Sequence, residues 1–113
     1  MIADEELLQE IAGMLDHDGM LDIGTMFRRP GIRADGKIVA FLGADDRMIT
    51  KVPRERALEL IAAGEASEVT MGKRTMREWI SVPAAADRDG TLARWTPLVR
   101  EALAYVTSLG GGA

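Results

Sequence analysis

Apolar residues recur at helical spacing in three segments of the chain, and each segment predicts a helix with one apolar face. The first segment spans residues 4–15. The second runs from Arg54 to Ala63, with Pro53 at its start and Gly64 in the position just past a helix end. The third carries an apolar stripe formed by Leu98, Val99, Ala102, Leu103, Val106 and Leu109.

The dipeptide Thr96-Pro97 has the features of a helix N-terminus, and we place the start of the third helix there. A threonine hydroxyl accepts hydrogen bonds from first-turn amides, and proline is favoured at the first helical position. The preceding residues Asp87–Gly90 are turn formers, which predicts a loop. Glycines near the C-terminus predict a flexible Gly-rich tail over residues 110–113.

Five segments show the alternation or the apolar density of β-strands. Between them, Asp35-Gly36 is a strong hairpin signal, because both central residues of such a turn need a positive φ. Residues 43–46 predict a second turn, and Arg28–Gly31 predicts a turn or loop. The predicted strands are residues 20–27, 37–42, 47–52, 67–71 and 75–82.

The order of these elements predicts a two-layer α+β fold, α-β(3)-α-β(2)-α. Helices with one apolar face bury that face against a sheet, so we expect a five-stranded antiparallel sheet with the helices packed on one face. A length of 113 residues is typical of one domain, which we place at residues 1–109. Trp79 faces either the helices or the open side of this sheet. We expect it in the core, because the third helical region supplies Trp95 and Tyr105 as partners.

Charge is unevenly distributed along the chain, although the net charge is only −4. Residues 1–27 hold seven acidic side chains and no Lys or Arg, whereas residues 28–78 hold eleven basic and eight acidic side chains. The acidic start, with Asp4, Glu5 and Glu6, does not resemble a signal peptide, and no apolar run is long enough to suggest a membrane-spanning helix. We therefore expect a cytoplasmic protein without membrane association.

No set of residues predicts catalysis, a metal site or a cofactor. The chain has no cysteine and one histidine, His17, and Asp16, Asp18 and Asp22 supply only part of a calcium loop. Phe27 stands where that loop needs its final glutamate. The segment from Gly31 to Lys37 has the glycine spacing of a phosphate loop but continues into a strand without a Ser or Thr, so it does not predict one.

Several short motifs occur in an order that resembles the N-terminal domain of the TfoX/Sxy family in its stand-alone form, and YjbR-like proteins are a second candidate family. The domain occurs in bacterial competence regulators and in small separate proteins. The resemblance implies an α+β fold but no reaction, since no activity is established for that domain. The residues that carry it are Met26-Phe27, Asp35-Gly36, Phe41, Lys51, Gly64, Met71-Gly72, Met76, Trp79, Pro83 and Trp95.

We expect from these observations a non-enzymatic regulatory or protein-interaction module whose partner is another protein or a second copy of the chain. The alternative is a regulator that binds nucleic acid weakly through the basic region 28–78, with cations and aromatic rings on one side of the sheet. Arg33 and Arg77 belong to the same basic set, which could instead form a solvated rim paired with the acidic first helix. The candidate surface residues are Phe27, Arg28, Arg29, Lys37, Lys51, Lys73, Arg74 and Trp79.

Overall fold

A six-stranded sheet with the order β1-β2-β3-β4-β6-β5 organises the chain, and every neighbouring pair of strands is antiparallel. The computed structural model describes residues 4–16, 19, 21–26, 29–71 and 73–111. No helix within these ranges is long and apolar enough to cross a membrane. The elements are α1 (Glu5–Leu15), β1 (Leu21–Met26), β2 (Arg29–Ala34), β3 (Lys37–Leu42), β4 (Arg47–Lys51), α2 (Arg54–Ala62), β5 (Ser67–Met71), β6 (Arg74–Pro83) and α3 (Arg88–Gly111).

The α+β class with three helices is confirmed, but the prediction of five strands is wrong because the region we took as a loop forms β2. Its extended backbone suits proline, whose φ is fixed near the extended range. The register pairs Thr25 with Pro30, and the ladder to β3 ends at Gly31 and Phe41. Pro30 therefore lies at the margin of the sheet, where its missing N–H costs no hydrogen bond to β3.

Positive-φ residues occupy the turns that the sequence predicts. Asp35 and Gly36 have φ of 52° and 80°, which confirms the tight hairpin between β2 and β3. Gly64, with φ of 77°, follows the end of α2 as predicted. These turns fix which residues of the flanking strands oppose one another, and hence which side chains share a face of the sheet.

Helix α3 begins at Arg88 and not at Thr96, so the predicted loop at residues 87–90 is wrong. The reason is that Asp87, and not Thr96, caps the N-terminus of the helix. The Asp87 carboxylate accepts a hydrogen bond from the Gly90 amide at 2.7 Å, and its carbonyl accepts from the Thr91 amide at 3.1 Å. Pro97 consequently lies inside the helix. The helix runs to Gly111, into the segment we assigned to a tail, and residues 112–113 lie outside the described ranges.

The core lies between one face of the sheet and the three helices, as predicted. Leu42, Met48 and Val82 are paired across β3, β4 and β6, and all three are buried. Trp95 of α3 is fully buried against this face and donates its indole N–H to the Pro83 carbonyl at 3.1 Å. The helices add Leu7, Leu8, Ile11, Leu15, Ala57, Leu60, Leu98, Val99, Ala102 and Val106 to the same cluster.

The opposite face of the sheet carries one row of paired residues that crosses all six strands. Side chains alternate along a strand, so the neighbours of the core residues point to this second face. No described helix contributes to the row. Its members are Gly24, Gly31, Phe41, Ile49, Ser81 and Ser67, in the order of the strands, and we call this side the open face.

The close approach at Gly31 gives a test of this register. A Cβ at Gly31 would lie 2.9 Å from both the Ala40 carbonyl oxygen and the Phe41 Cβ, atoms that cannot move without shifting the backbone. We expect Gly31→Ala to lower the free energy of unfolding by about 1–3 kcal/mol, measured by urea unfolding. Gly13→Ala is the matched control. Its Cβ meets nothing within 4 Å on helix α1, so it should stabilise by about 0.5–1 kcal/mol. Equal effects of the two substitutions would contradict the register.

Candidate functional site

The predicted surface residues divide between the two ends of the sheet. The β2–β3 turn, the end of β4 and the β5–β6 turn lie at one end, which brings Lys37, Lys51, Lys73 and Arg74 to that end. Arg29 lies at the opposite end, where it donates a hydrogen bond to the Gly43 carbonyl at 3.1 Å. Phe27 and Arg28, like His17 and Asp18, lie outside the described residues.

Trp79 lies on the open face, so the expectation that it joins the core is wrong. The register pairs it with Lys51, while its neighbour Ile80 is fully buried on the helix side. The Trp79 ring is half-buried and meets Phe41 edge to face, with centroids 5.8 Å apart and planes at 63°. Such an aromatic pair is a favourable arrangement, and it fixes the ring on the sheet.

A cation lies over the same ring. The Lys51 ammonium is 5.8 Å from the Trp79 centroid, within the range of a cation–π interaction. Both side chains are half-buried, and they come from paired positions on β4 and β6. The strand register therefore places a positive charge beside an aromatic surface on the open face.

Strand β6 bulges next to this pair. Glu68 of β5 pairs with Ile80, but the next residue, Val69, pairs with Met76, so residues 77–79 have no partner in β5. The bulge frames an open recess of about 510 Å³. Bulges of this kind re-aim side chains and are common beside functional sites. The recess is lined by Lys51, Arg74, Thr75, Met76, Arg77, Glu78 and Trp79, and we call it the bulge recess.

Three contacts hold the bulge in place. The Glu78 carbonyl accepts a hydrogen bond from the Val52 amide at 2.9 Å, and the Arg77 carbonyl accepts one from Arg54 at 3.2 Å. The Tyr105 hydroxyl of α3 donates to the Glu78 carboxylate. That hydrogen bond is the main cause of a raised Tyr105 pKa, with burial and the carboxylate charge adding to it. The bulge is thus tied to both α2 and α3.

The cations of the bulge recess form no ion pair with any carboxylate that the structure describes. This holds for Lys51, Arg74 and Arg77, and the two arginines are exposed. The acids of α1 do not pair with them. Instead, Arg88 of α3 contacts Glu10 at 2.7 Å and Asp4 at 3.8 Å. Within the described residues, the basic region is therefore not a rim neutralised by the first helix, and the recess retains its positive charge.

Sequence reasoning missed Arg47, which extends the basic character of the open face. Its guanidinium donates to the Ser81 hydroxyl at 2.6 Å and to the Ser67 hydroxyl at 3.3 Å, so it lies across β6 and β5. The sequence pattern that could have identified Arg47 is the alternation along β4, which puts Arg47, Ile49 and Lys51 on one face of the strand. Which face that set occupies depends on tertiary packing.

A larger groove of about 740 Å³ lies between α2, α3 and the end of β6. Arg56 of α2 and Glu101 of α3 line it and form an ion pair at 2.8 Å. Their charges neutralise each other. The other two charged residues of its lining, Glu65 and Arg94, also carry opposite charges, so the groove has no net charge to attract a charged ligand. We therefore take the bulge recess as the candidate site.

Comparison of the chain with protein-family models, with curated proteins and with solved structures finds no match. The site must therefore be interpreted from its own chemistry. In the parts of the chain that the structure describes, no three His, Cys, Asp or Glu side chains are grouped as metal ligands. The chemistry that the recess does offer is cationic hydrogen-bond donation beside an aromatic ring.

The Tyr105–Glu78 contact can be tested by titration, because Tyr105 is the only tyrosine of the chain. We expect the ultraviolet absorbance of the folded protein to report a pKa above the ordinary 10.0, and Glu78→Gln to move it back toward that value. Since folding raises this pKa, the stability it contributes is complete below about pH 10 and is lost as the pH rises through the folded-state value. Identical titrations of wild type and Glu78→Gln would contradict the contact.

Proposed function

We propose that the chain is a non-enzymatic regulatory or protein-interaction module of the kind that the TfoX N-terminal domain represents, with the YjbR-like proteins as a second comparison. It binds an acidic segment of a protein partner on the open face of its sheet, in the cytoplasm. The observation that carries the proposal is the bulge recess, which Trp79 lines together with three cations that pair with none of the described carboxylates.

Two physical properties of the recess support a protein ligand. Tryptophan and arginine supply a disproportionate share of binding energy at protein interfaces, because each combines apolar contact with hydrogen bonding. Charge complementarity between basic and acidic surfaces accelerates association and discriminates among partners. Trp79, Arg74 and Arg77 provide both properties within one recess.

Weak nucleic-acid binding is the second candidate, and Trp79 beside Lys51 is the observation that favours it. Proteins that bind single strands combine cations with aromatic rings on which bases stack. The chain is acidic overall, with a sequence pI near 5.0, whereas nucleic-acid-binding domains are usually strongly basic. We therefore rank this function below protein interaction.

A pull-down from cytosol tests the proposal, with wild type, Arg74→Glu/Arg77→Glu and Arg100→Glu compared in nuclease-treated and untreated lysate. Arg100 is the matched control, because it is exposed on α3, away from the recess lining. We expect a protein that survives nuclease to be captured by wild type and by Arg100→Glu. The double variant should lose it, since charge reversal in the recess replaces attraction by repulsion.

Two results of this pull-down would count against the proposal. A ligand lost on nuclease treatment and at raised salt would make nucleic-acid binding the function. Equal capture by all three proteins would show that the recess is not the binding surface. Native mass measurement of the purified chain distinguishes a second copy of the chain from a different protein as the partner. A dimer disrupted only by the double variant would identify the second copy.

A further inference from the structure

We propose that the bulge recess is a phosphate-binding subsite that receives a phosphorylated side chain of the protein partner. This inference rests on the proposed interaction function and specifies the chemistry of the partner. It starts from the charges around the recess. Lys51, Arg74 and Arg77 contribute three cations, none of which pairs with a carboxylate of the described residues.

A phosphoryl group matches this charge better than a single carboxylate does. It carries about −1.5 to −2 charges near neutral pH and three strong acceptor oxygens. Guanidinium groups donate to phosphate oxygens in a planar, two-pronged geometry, and an ammonium adds a point charge. The two arginines and one lysine of the recess supply both kinds of donor. Trp79 forms an apolar wall on which residues beside the phosphorylated side chain can pack.

Glu78 also lines the recess, and its carboxylate would repel a phosphate if it faced the ligand. The Tyr105 hydroxyl holds this carboxylate by a hydrogen bond from α3, on the helix side of the sheet. Trp79, the next residue, lies on the open face. The Tyr105 hydrogen bond therefore draws the Glu78 carboxylate toward α3 and away from the open face, where the Lys51 ammonium lies over Trp79.

The arrangement of the cations favours one phosphoryl group over a nucleic-acid backbone. Binding of a strand needs a positively charged groove that follows successive phosphates. Here Lys51, Arg74 and Arg77 line a single recess, whereas Arg29 and Arg47 occupy the other end of the sheet and donate to Gly43, Ser81 and Ser67. Lys37 and Lys73 lie near the recess without lining it, and the apolar side chains of Ile49 and Phe41 separate the recess from Arg47 on the open face.

Fluorescence anisotropy with a labelled Gly-Ala-Ser-Ala-Gly peptide, with and without a phosphate on its serine, tests the inference. We expect wild type to bind the phosphorylated peptide about tenfold more tightly or better, the effect of charge-assisted hydrogen bonds gained with the phosphate. Arg74→Gln/Arg77→Gln should abolish the difference, and Arg100→Gln should retain it. Inorganic phosphate should displace the phosphorylated peptide. All three substituted positions are exposed, so the variants should fold.

Equal affinity for the two peptides, or a difference that persists in the double variant, would overturn the phosphate subsite. The phosphate subsite would also be overturned if oligothymidylate bound more tightly than the phosphorylated peptide and this binding required Arg74 and Arg77. The recess would then be assigned to a nucleic-acid backbone. Phosphatase treatment of the lysate separates the inference from the function on which it rests. Capture that depends on Arg74 and Arg77 but survives phosphatase would support the interaction module and contradict the phosphate subsite. Capture of no protein by wild type would count against the module itself.

Discussion

One-sided burial of the sheet is the constraint on which the rest of the structure depends. Because side chains alternate along a strand, the strand that gives Ile80 and Val82 to the core must present Trp79 and Ser81 to the other side. A slip of one residue would exchange these two sets. The packing that stabilises the domain therefore also determines which residues form the open face.

The bulge in β6 converts part of that face into a recess. Without it, residues 77–79 would continue the ladder with β5. Their backbone is held instead by Val52 and Arg54, and the Glu78 side chain is held by Tyr105 of α3. Helices on the buried side thus position a site on the open side. This arrangement links the stability of α3 packing to the geometry of the proposed binding surface.

The sequence correctly predicts the elements that depend on local backbone preferences. The predictions are wrong where tertiary contacts determine whether a segment is a strand, a helix or a loop. The Asp35-Gly36 turn needs only its own backbone preference, and it is confirmed. Strand β2 was missed because Pro30 indicates a loop unless its place at the sheet margin is known. The α3 start was misplaced because two caps compete, and the Asp87 hydrogen bonds select the earlier one. Lys51, Arg74 and Trp79 were identified as surface candidates, but no local pattern shows that a bulge brings them together.

Acrylamide quenching of tryptophan fluorescence in wild type and Trp79→Phe tests the central claim, that the sheet buries one face and opens the other beside Trp79. The chain has two tryptophans, and Trp95 is fully buried. We expect wild type to contain an accessible component that is absent from Trp79→Phe, in which Trp95 remains protected. If the fluorescence of folded Trp79→Phe were quenched as readily as that of the unfolded chain, the assignment of the two faces would be contradicted.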